Sequence, residues 1–161
     1  MAFISYIMGK SGNQSATNPI AVWNSMIRKV NIGNNVTRLT TTFHSCFCLA
    51  SITIPNSVTT FSSNLFYNCY ALKSIVFPRS ITSLNDYAIY TCKSLVSISL
   101  PNSVTSIGKR VFGGNQSLKS ITIPSSVKSI GEYAFDGNVS LHSAIIPNSI
   151  SSIGRNVFNS C

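Results

Sequence analysis

The residues that could carry chemistry in this chain are five cysteines, two histidines and three acidic residues. Most of the cysteines share one position of a 23-residue period with asparagines, and we treat this set as a structural ladder: Asn24, Cys46, Cys69, Cys92, Asn115, Asn138 and Cys161. A position that takes only Cys or Asn indicates a small side chain that hydrogen-bonds to backbone groups of a buried loop. We therefore expect a structural role for this column.

Disulfides and metal binding are the alternative interpretations of the cysteines. Neighbouring members of one column would lie about 4.8 Å apart, but their side chains would point the same way, so a bridge would be strained. Cys48 lies outside the column and forms only a C-x-C pair with Cys46, without a second pair or a nearby histidine. The sequence predicts reduced thiols, no metal and no cofactor.

The histidines and acids do not form a catalytic pattern. His44 and His142 are more than four periods apart, or roughly 20 Å at the spacing of parallel strands. Asp86, Glu132 and Asp136 do not form a pair that could flank a cleft, and no phosphate-binding glycine motif is present. We predict that the protein is not an enzyme.

A 23-residue repeat positions all of these residues. It is marked by five prolines and by about six apolar columns, and the prolines are Pro55, Pro78, Pro101, Pro124 and Pro147. A period of this size is typical of a solenoid, in which each short unit stacks on the next. One unit cannot bury enough apolar surface to offset its own ordering, so the copies must fold together.

The composition of one repeat predicts its elements. The Ser-Ile-Thr-Ile segment before each proline alternates polar and β-branched residues, which indicates a short half-buried strand that ends at the proline. Glycines at 108, 131 and 154 permit a turn, and segments of the GEYAF type favour one helical turn. We expect short parallel strands in one curved sheet, with turns and short helical segments on the convex side.

The repeats set the boundaries of the chain's parts. About six repeats, each of roughly 22–23 residues, occupy residues 24–161. One residue is missing from the first convex segment. Residues 1–23 do not fit the pattern, and we interpret them as an irregular N-terminal cap. No apolar run approaches the roughly 18 residues of a membrane-spanning helix, and residues 1–12 are a poor secretory signal.

The run LxxIxIPxSVxxIGxxAFxxC resembles the leucine-rich repeat of BspA-like proteins, a 23-residue subclass found on the surfaces of bacteria and anaerobic protist parasites. The resemblance covers about residues 24–161. It implies a leucine-rich-repeat solenoid and a role in protein binding, adhesion or surface antigenicity. Cell-surface localisation is suggested by the resemblance alone.

The net charge of +9 raises the question of nucleic-acid binding. Arg28, Lys73 and Lys119 share the column after the leading leucine, but Ala50 and Val96 interrupt it. The aromatic residues belong mostly to inward columns, whereas a nucleic-acid surface needs exposed aromatic rings along a basic stripe. We therefore expect a solvated basic surface and no nucleic-acid partner.

The outward strand residues form the candidate partner-binding face. They are small, hydroxyl-rich and nearly uncharged: Ser51, Thr53, Ser74, Val76, Ser97, Ser99, Ser120, Thr122, Ser143 and Ile145. Such a flat face suits contact with a protein, such as a host or matrix protein, or with a glycan. The alternative is that these residues are merely β-prone and pack side by side.

The C-terminal end gives a second hypothesis. The sequence stops at Cys161 before another strand could form, so Ile150, Ile153 and Phe158 would have one repeat to pack on. Repeat proteins close such ends with a polar cap, because an open parallel edge attracts similar chains. We expect either a longer protein or end-to-end self-association through an uncapped C-terminal end.

Overall fold

A computed structural model shows the chain as a parallel β-solenoid in which equivalent residues of neighbouring coils pair, as Ser120 does with Ser143. The structure describes residues 26–40 and 43–161, and the backbone of residues 7–8. In chain order the strands are β1 (Ile7–Met8), β2 (Lys29–Ile32), β3 (Arg38–Leu39), β4 (Ser51–Thr53), β5 (Thr60–Phe61), β6 (Ser83–Leu84), β7 (Ser106–Ile107), β8 (Ser120–Thr122), β9 (Ser129–Ile130), β10 (Ser143–Ile145) and β11 (Ser152–Ile153).

The first sheet runs along one side of the solenoid. It contains β1, β2 and β4 at one end, and β8 and β10 at the other. Between them, single bridges pair Val76 with Ser99 and Ser97 with Ser120. The proline after each strand segment removes a backbone donor and keeps each strand short.

A second parallel sheet lies on an adjacent side, where the sequence had predicted turns. It contains the pair β3–β5 and the series β6, β7, β9 and β11. Most of its strands are the Ser-Ile, Ser-Leu and Thr-Phe dipeptides that follow each proline segment. The prediction of a single sheet was therefore incomplete, because such short strands cannot show an alternating pattern.

The convex segments form no helix within the described residues, which corrects the prediction of short helical segments. These segments, 63–68, 86–91, 109–114, 132–137 and 155–160, are turns, and we call their outer surface the turn side. They contain local i to i−3 hydrogen bonds, as from Tyr90 N–H to Tyr87 O, 3.3 Å. Residues with positive φ recur in two columns, such as Tyr87 (57°) and Thr91 (55°). A left-handed residue ends helical winding, because the next N–H no longer points along a helix axis.

Alternate N–H groups of the turn side bond to the next coil instead. Phe66 N–H donates to Ala88 O at 2.7 Å, and Phe112 N–H donates to Ala134 O at 2.9 Å. Hydrogen bonds between coils therefore join the turn side as well as the two sheets. This satisfies backbone groups that a buried turn would otherwise leave unpaired.

The apolar columns of the repeat form one continuous core. Leu49, Leu72, Leu95 and Leu118 are fully buried, as are the phenylalanines at 66, 112 and 135. Rings of the same column stack, with the centroids of Phe112 and Phe135 5.4 Å apart. Each coil contributes the same contacts, which explains why the sequence repeats so closely.

The first coil is one residue shorter than the others, as the sequence predicted. Arg38 pairs with Thr60, and Lys29 pairs with Ser51, each one position short of the full period. Phe43, however, stacks on Phe66 at the full period. The missing residue therefore lies between Leu39 and Phe43.

The two ends of the chain differ from the middle. The structure describes only the backbone of Ile7–Met8 from the predicted irregular cap, and this segment forms a strand parallel to β2. The rest of the predicted cap lies outside the described residues, as does Asn24 of the ladder. In the last coil, residues of the inward columns are exposed, with Ile153 53% and Ile146 37% accessible. No helix among the described residues is long and apolar enough to cross a membrane.

Candidate binding face and structural ladder

The predicted partner-binding face lies on the outer surface of the first sheet, and we call it the strand face. Its members are exposed, except for the half-buried Ser51. Strand alternation explains this, because Ile52 and Ile121 between them point into the core and are 6% and 3% accessible. Val76 is 74% accessible and is the most exposed large apolar residue on this face.

The hydroxyl groups of the strand face are free to bind a ligand. Within the described residues, those of Ser74, Ser97 and Ser120 donate to no protein atom. Serines of another column are used internally: Ser80 Oγ donates to Val58 O, and Ser126 Oγ donates to Val104 O at 2.7 Å. A solvent-facing hydroxyl without an internal partner can exchange its water for a partner's polar group at little cost.

A shallow concavity of about 350 Å³ lies on the strand face. Ser97, Ser99, Asn102, Ser120 and Thr122 line it. A neighbouring concavity of about 420 Å³ shares Asn102 and is lined by Arg79 and Ser103. The buried Ser103 hydroxyl has no hydrogen-bond partner. Both concavities lie at the middle of the strand face.

Cations border the strand face, and no acid lies near it. They are Arg28, Lys29, Lys73, Arg79 and Lys119. Register places Lys29 beside Ser51 on the face itself. Backbone bonds join Lys73 to Ala50 and Lys119 to Val96 along the upstream edge. In the part of the chain that the structure describes, none of the five cations forms a salt bridge.

All three acidic side chains lie near the turn side, and each is engaged there. Glu132 contacts Lys109 at 3.4 Å and Arg155 at 3.1 Å. Asp136 lies 3.8 Å from Arg110. Asp86 Oδ1 accepts the Lys109 backbone N–H at 2.8 Å. The acids thus balance three cations on the turn side and leave the strand face positive.

The second sheet offers a rival concavity, but with mixed charge. Ser106 and Ser129 line it, and Asp86 and Glu132 border it. Its serines are half-buried, whereas those of the strand face are mostly exposed. This makes the second sheet a suitable location for control substitutions.

The structural ladder lies on the inner side of the loops before the first sheet, and its members bond to backbone in two patterns. In the thiol pattern, Cys69 Sγ donates to Phe43 O at 3.1 Å, and Cys92 Sγ donates to Phe66 O at 3.2 Å. The Cys69 N–H meanwhile turns back to Phe66 O at 3.2 Å. The thiol thus supplies one donor to a carbonyl of the preceding coil.

The amide pattern adds an acceptor. Asn115 Oδ1 accepts the Cys92 N–H at 2.7 Å, and Asn115 Nδ2 donates to Ile89 O and Phe112 O, both at 3.0 Å. Asn138 Oδ1 accepts the Asn115 N–H in turn, at 2.7 Å, while Asn138 Nδ2 has no partner. Asn115 and the thiols of Cys69 and Cys92 all donate to a carbonyl of the preceding coil, whereas Asn138 contributes only its acceptor.

Burial keeps the ladder thiols protonated. It raises the pKa of Cys46 to about 11 and that of Cys92 to about 12. Burial also raises the pKa of Cys69, with smaller contributions from Cys92 and Cys46. No two of the five cysteines are joined by a disulfide. A neutral buried thiol is a poor nucleophile, so these groups are structural.

Tyrosines form a stack on the turn side that the sequence analysis did not identify. The Tyr67 ring stacks on His44 and Tyr90, with centroids 5.0 and 5.2 Å apart. A second row joins Phe47 to Tyr70 at 5.2 Å, with Lys93 Nζ 4.8 Å from the Tyr70 centroid. The signal was present at the 23-residue spacing of 44, 67 and 90. Since the ring faces cover one another, the stack mainly joins coils.

The remaining candidates show no catalytic arrangement. His44 stacks on Tyr67, and His142 Nδ1 lies 3.1 Å from Ser140 O on an exposed loop. Across residues 26–40 and 43–161, no three His, Cys, Asp or Glu side chains are placed to hold a metal ion. Asn115 and Asn138, which stand in glycosylation sequons, are fully buried.

Stacked coils with inward leucines, a proline after each strand segment and a Cys/Asn ladder define a leucine-rich-repeat solenoid. A profile of the BspA type leucine rich repeat region matches residues 36–161 in 6 copies, and the chain belongs to this family. The sequence prediction of both fold and family is confirmed. Proteins of this class are generally protein-interaction modules.

Solved structures show the same architecture. A leucine-rich repeat protein from Bacteroides ovatus is 34% identical, with a TM-score of 0.76; the match covers 84% of this chain and 35% of that one. A leucine rich cell surface protein from Faecalibacterium prausnitzii is 38% identical, with a TM-score of 0.70, over 73% of this chain and 31% of that one. The T. pallidum leucine-rich repeat protein shares the fold. It is 24% identical, with a TM-score of 0.76, and the match covers 86% of this chain and 77% of that one. The chain thus spans about a third of the first two proteins. No curated protein matches it.

Proposed function

We propose that this chain is a non-catalytic binding module of a surface protein, with an adhesive or antigenic role, and that it engages a protein partner through the strand face. The observation that carries the proposal is the row of exposed, unbonded hydroxyls across successive coils at Ser74, Ser97 and Ser120. Hydroxyls used internally, such as Ser80 Oγ, serve the fold. Those of Ser74, Ser97 and Ser120 on the strand face donate to no described protein atom.

The shape of the strand face supports a macromolecular partner. Its concavity is shallow and open, and small polar side chains line it together with Ile98, Leu100, Ile121 and Pro124. Small-molecule sites are instead enclosed and mostly apolar. The regular spacing of coils gives an extended surface of the kind through which solenoids bind proteins. The F. prausnitzii relative, described as a cell surface protein, supports the same location for this chain.

The test is a pair of double substitutions with the same chemistry on different sheets. Ser99→Gln with Thr122→Gln places two long, uncharged side chains on the strand face. Thr82→Gln with Thr105→Gln does the same on the second sheet, where Lys128 occupies the same column. Both pairs are exposed, so we expect both variants to keep the wild-type circular dichroism spectrum and melting temperature.

Binding to purified extracellular-matrix and plasma proteins would be measured by biolayer interferometry. We expect the strand-face variant to bind about tenfold more weakly or worse, because a bulky side chain at the centre of an interface prevents close packing. The second-sheet variant should bind like the wild type. Equal affinity of all three proteins for a bound partner would show that the partner site is elsewhere.

Assembly through the C-terminal end remains a second candidate, favoured by the exposure of apolar residues in the last coil. Ile145 and Ile153 are 59% and 53% accessible. Sedimentation velocity over a range of concentrations tests it. Growth of a dimer with concentration supports end-to-end association, and a well-folded monomer at high concentration contradicts it.

A further inference from the structure

The twelve basic and three acidic residues are divided unequally between the sides of the solenoid. On the turn side, Lys109, Arg110 and Arg155 are offset by the three acids. Five cations border the strand face, and the acids lie elsewhere. Because potentials add over neighbouring unpaired charges, the strand face attracts anions more strongly than the turn side.

One coil places an apolar side chain between two of these cations. Lys73 and Arg79 lie at the two ends of the strand segment, and both are exposed. Val76, between them, is 74% accessible. Val96 in the next coil is 47% accessible and adjoins Lys73 through a backbone bond at 3.4 Å. The positive surface therefore includes apolar positions that gain from being covered.

This combination distinguishes between anionic partners. A single-stranded nucleic acid needs aromatic platforms for its bases, and the strand face has no aromatic side chain. On the turn side, where tyrosines occur, neighbouring rings cover one another, as at Tyr67 and Tyr90. A sulfated or carboxylated polysaccharide would satisfy the cations but offers no apolar side chain to cover Val76.

We infer that the strand face recognises an acidic polypeptide segment that carries apolar side chains among its carboxylates. Carboxylates would pair with Lys73 and Arg79, an apolar side chain would cover Val76, and backbone groups would bond to the serine hydroxyls. The inference rests on the proposed function, since it names the chemistry of the partner for that face.

The test uses peptides of defined composition and two charge-reversal variants. The probes are synthetic peptides of repeated Glu-Glu-Val and Glu-Glu-Ser, with heparin and a single-stranded DNA as competing anions. Lys73→Glu with Arg79→Glu reverses two charges on the strand face. Arg38→Glu with Lys128→Glu makes the same change on the second sheet, at exposed residues that form no salt bridge within the described part of the chain.

We expect Glu-Glu-Val peptide to bind the wild type more tightly than Glu-Glu-Ser peptide, heparin or DNA at physiological salt. The strand-face reversal should weaken this binding about tenfold, and the control reversal less than about threefold, because screening limits a charge to about 8 Å. Val76→Ser should weaken binding of the Glu-Glu-Val peptide and leave that of the Glu-Glu-Ser peptide unchanged.

Several results would overturn the inference. The inference is wrong if the Glu-Glu-Val peptide does not bind, if heparin or DNA binds more tightly than that peptide, or if the two reversal variants lose the same affinity for it. If Ser99→Gln with Thr122→Gln blocks a protein partner that Lys73→Glu with Arg79→Glu still binds, the strand face is the binding site but its partner is not acidic. If neither variant changes the binding, both proposals are wrong.

Discussion

Replacing Asn115 by alanine is expected to destabilise the solenoid by about 2–4 kcal/mol. The fully buried side chain makes three hydrogen bonds, one from the Cys92 N–H and two to the carbonyls of Ile89 and Phe112. In the variant, Cys92 N–H can turn back to Ile89 O, as Cys69 N–H does to Phe66 O. Phe112 O then has no donor, and the missing side chain leaves a small cavity beside it. The expected loss of stability is the sum of these two costs: one unsatisfied carbonyl and one lost side chain.

Replacing Asn115 by cysteine should cost about 1 kcal/mol less than replacing it by alanine. A thiol at this position can donate to Ile89 O in the way that Cys92 Sγ donates to Phe66 O at 3.2 Å. Cys92 N–H would then share that carbonyl, as in the thiol pattern. Phe112 O loses its donor in both variants, so the difference between them isolates the side-chain bond to Ile89 O.

Urea unfolding of the full chain, followed by circular dichroism, measures both effects. Asn102→Ala serves as the control, since Asn102 is an exposed amide in the same repeat, and we expect it to change stability by less than about 0.5 kcal/mol. The reasoning is refuted if Asn115→Cys destabilises the chain as much as Asn115→Ala does. That result would mean that shape, and not hydrogen bonding, selects Cys and Asn.

Three further predictions concern the turns, the thiols and the tyrosine stack. Gly131→Ala should lower the melting temperature more than Gly137→Ala. A Cβ at 131 would lie 2.6 Å from the Gly108 carbonyl carbon, which is a clash with backbone. At 137 a Cβ has room, and only the positive φ of 72° disfavours alanine. Raising the pH from about 8.5 to 10.5 should lower the unfolding free energy of the wild type by about 2–3 kcal/mol more than that of Cys92→Asn. The Cys92 pKa is raised to about 12, so its stabilising effect is complete below the unfolded pKa and is lost as pH rises towards the folded one. Tyr67→Ala should destabilise the chain by about 1–3 kcal/mol in urea titrations, since it removes two stacked contacts; no change would show that the stack is incidental.

The first sheet and the core could be predicted because the period repeats their signal. Five copies align the leucine and isoleucine columns, so the inward positions stand out even where one copy departs, as Ala144 does. The missing residue before Phe43 could be found in the same way, by counting from one copy to the next.

The second sheet and the turn side could not be predicted by the same reasoning. A strand as short as Ser106–Ile107 has no alternation to recognise. The GEYAF segment has local helical propensity, but coil-to-coil hydrogen bonds from residues such as Phe112 offer the backbone a different set of partners. Left-handed residues, including Tyr133 at a φ of 57°, are then required to complete the turn.

The unequal distribution of cations and acids between the sides of the solenoid could be predicted only in part. The sequence placed Lys73 and Lys119 in one column, and the intervening Val96 suggested that the stripe was interrupted. Arg79 joins them across the strand face only through folding, because it follows the proline at the other end of the segment. That Asp86 lies away from this face likewise depends on the course of each coil.

The central claim is that the strand face, and not another side of the solenoid, is where a partner binds. Nuclear magnetic resonance titration of the isotope-labelled 17.4 kDa chain with a bound protein partner or the Glu-Glu-Val peptide tests it most directly. The account predicts that shifts concentrate at the amides of Ser74, Ser97 and Ser120, with little change at Ser106 and Ser129 of the second sheet. Shifts centred on the second sheet or on the turn side would contradict it.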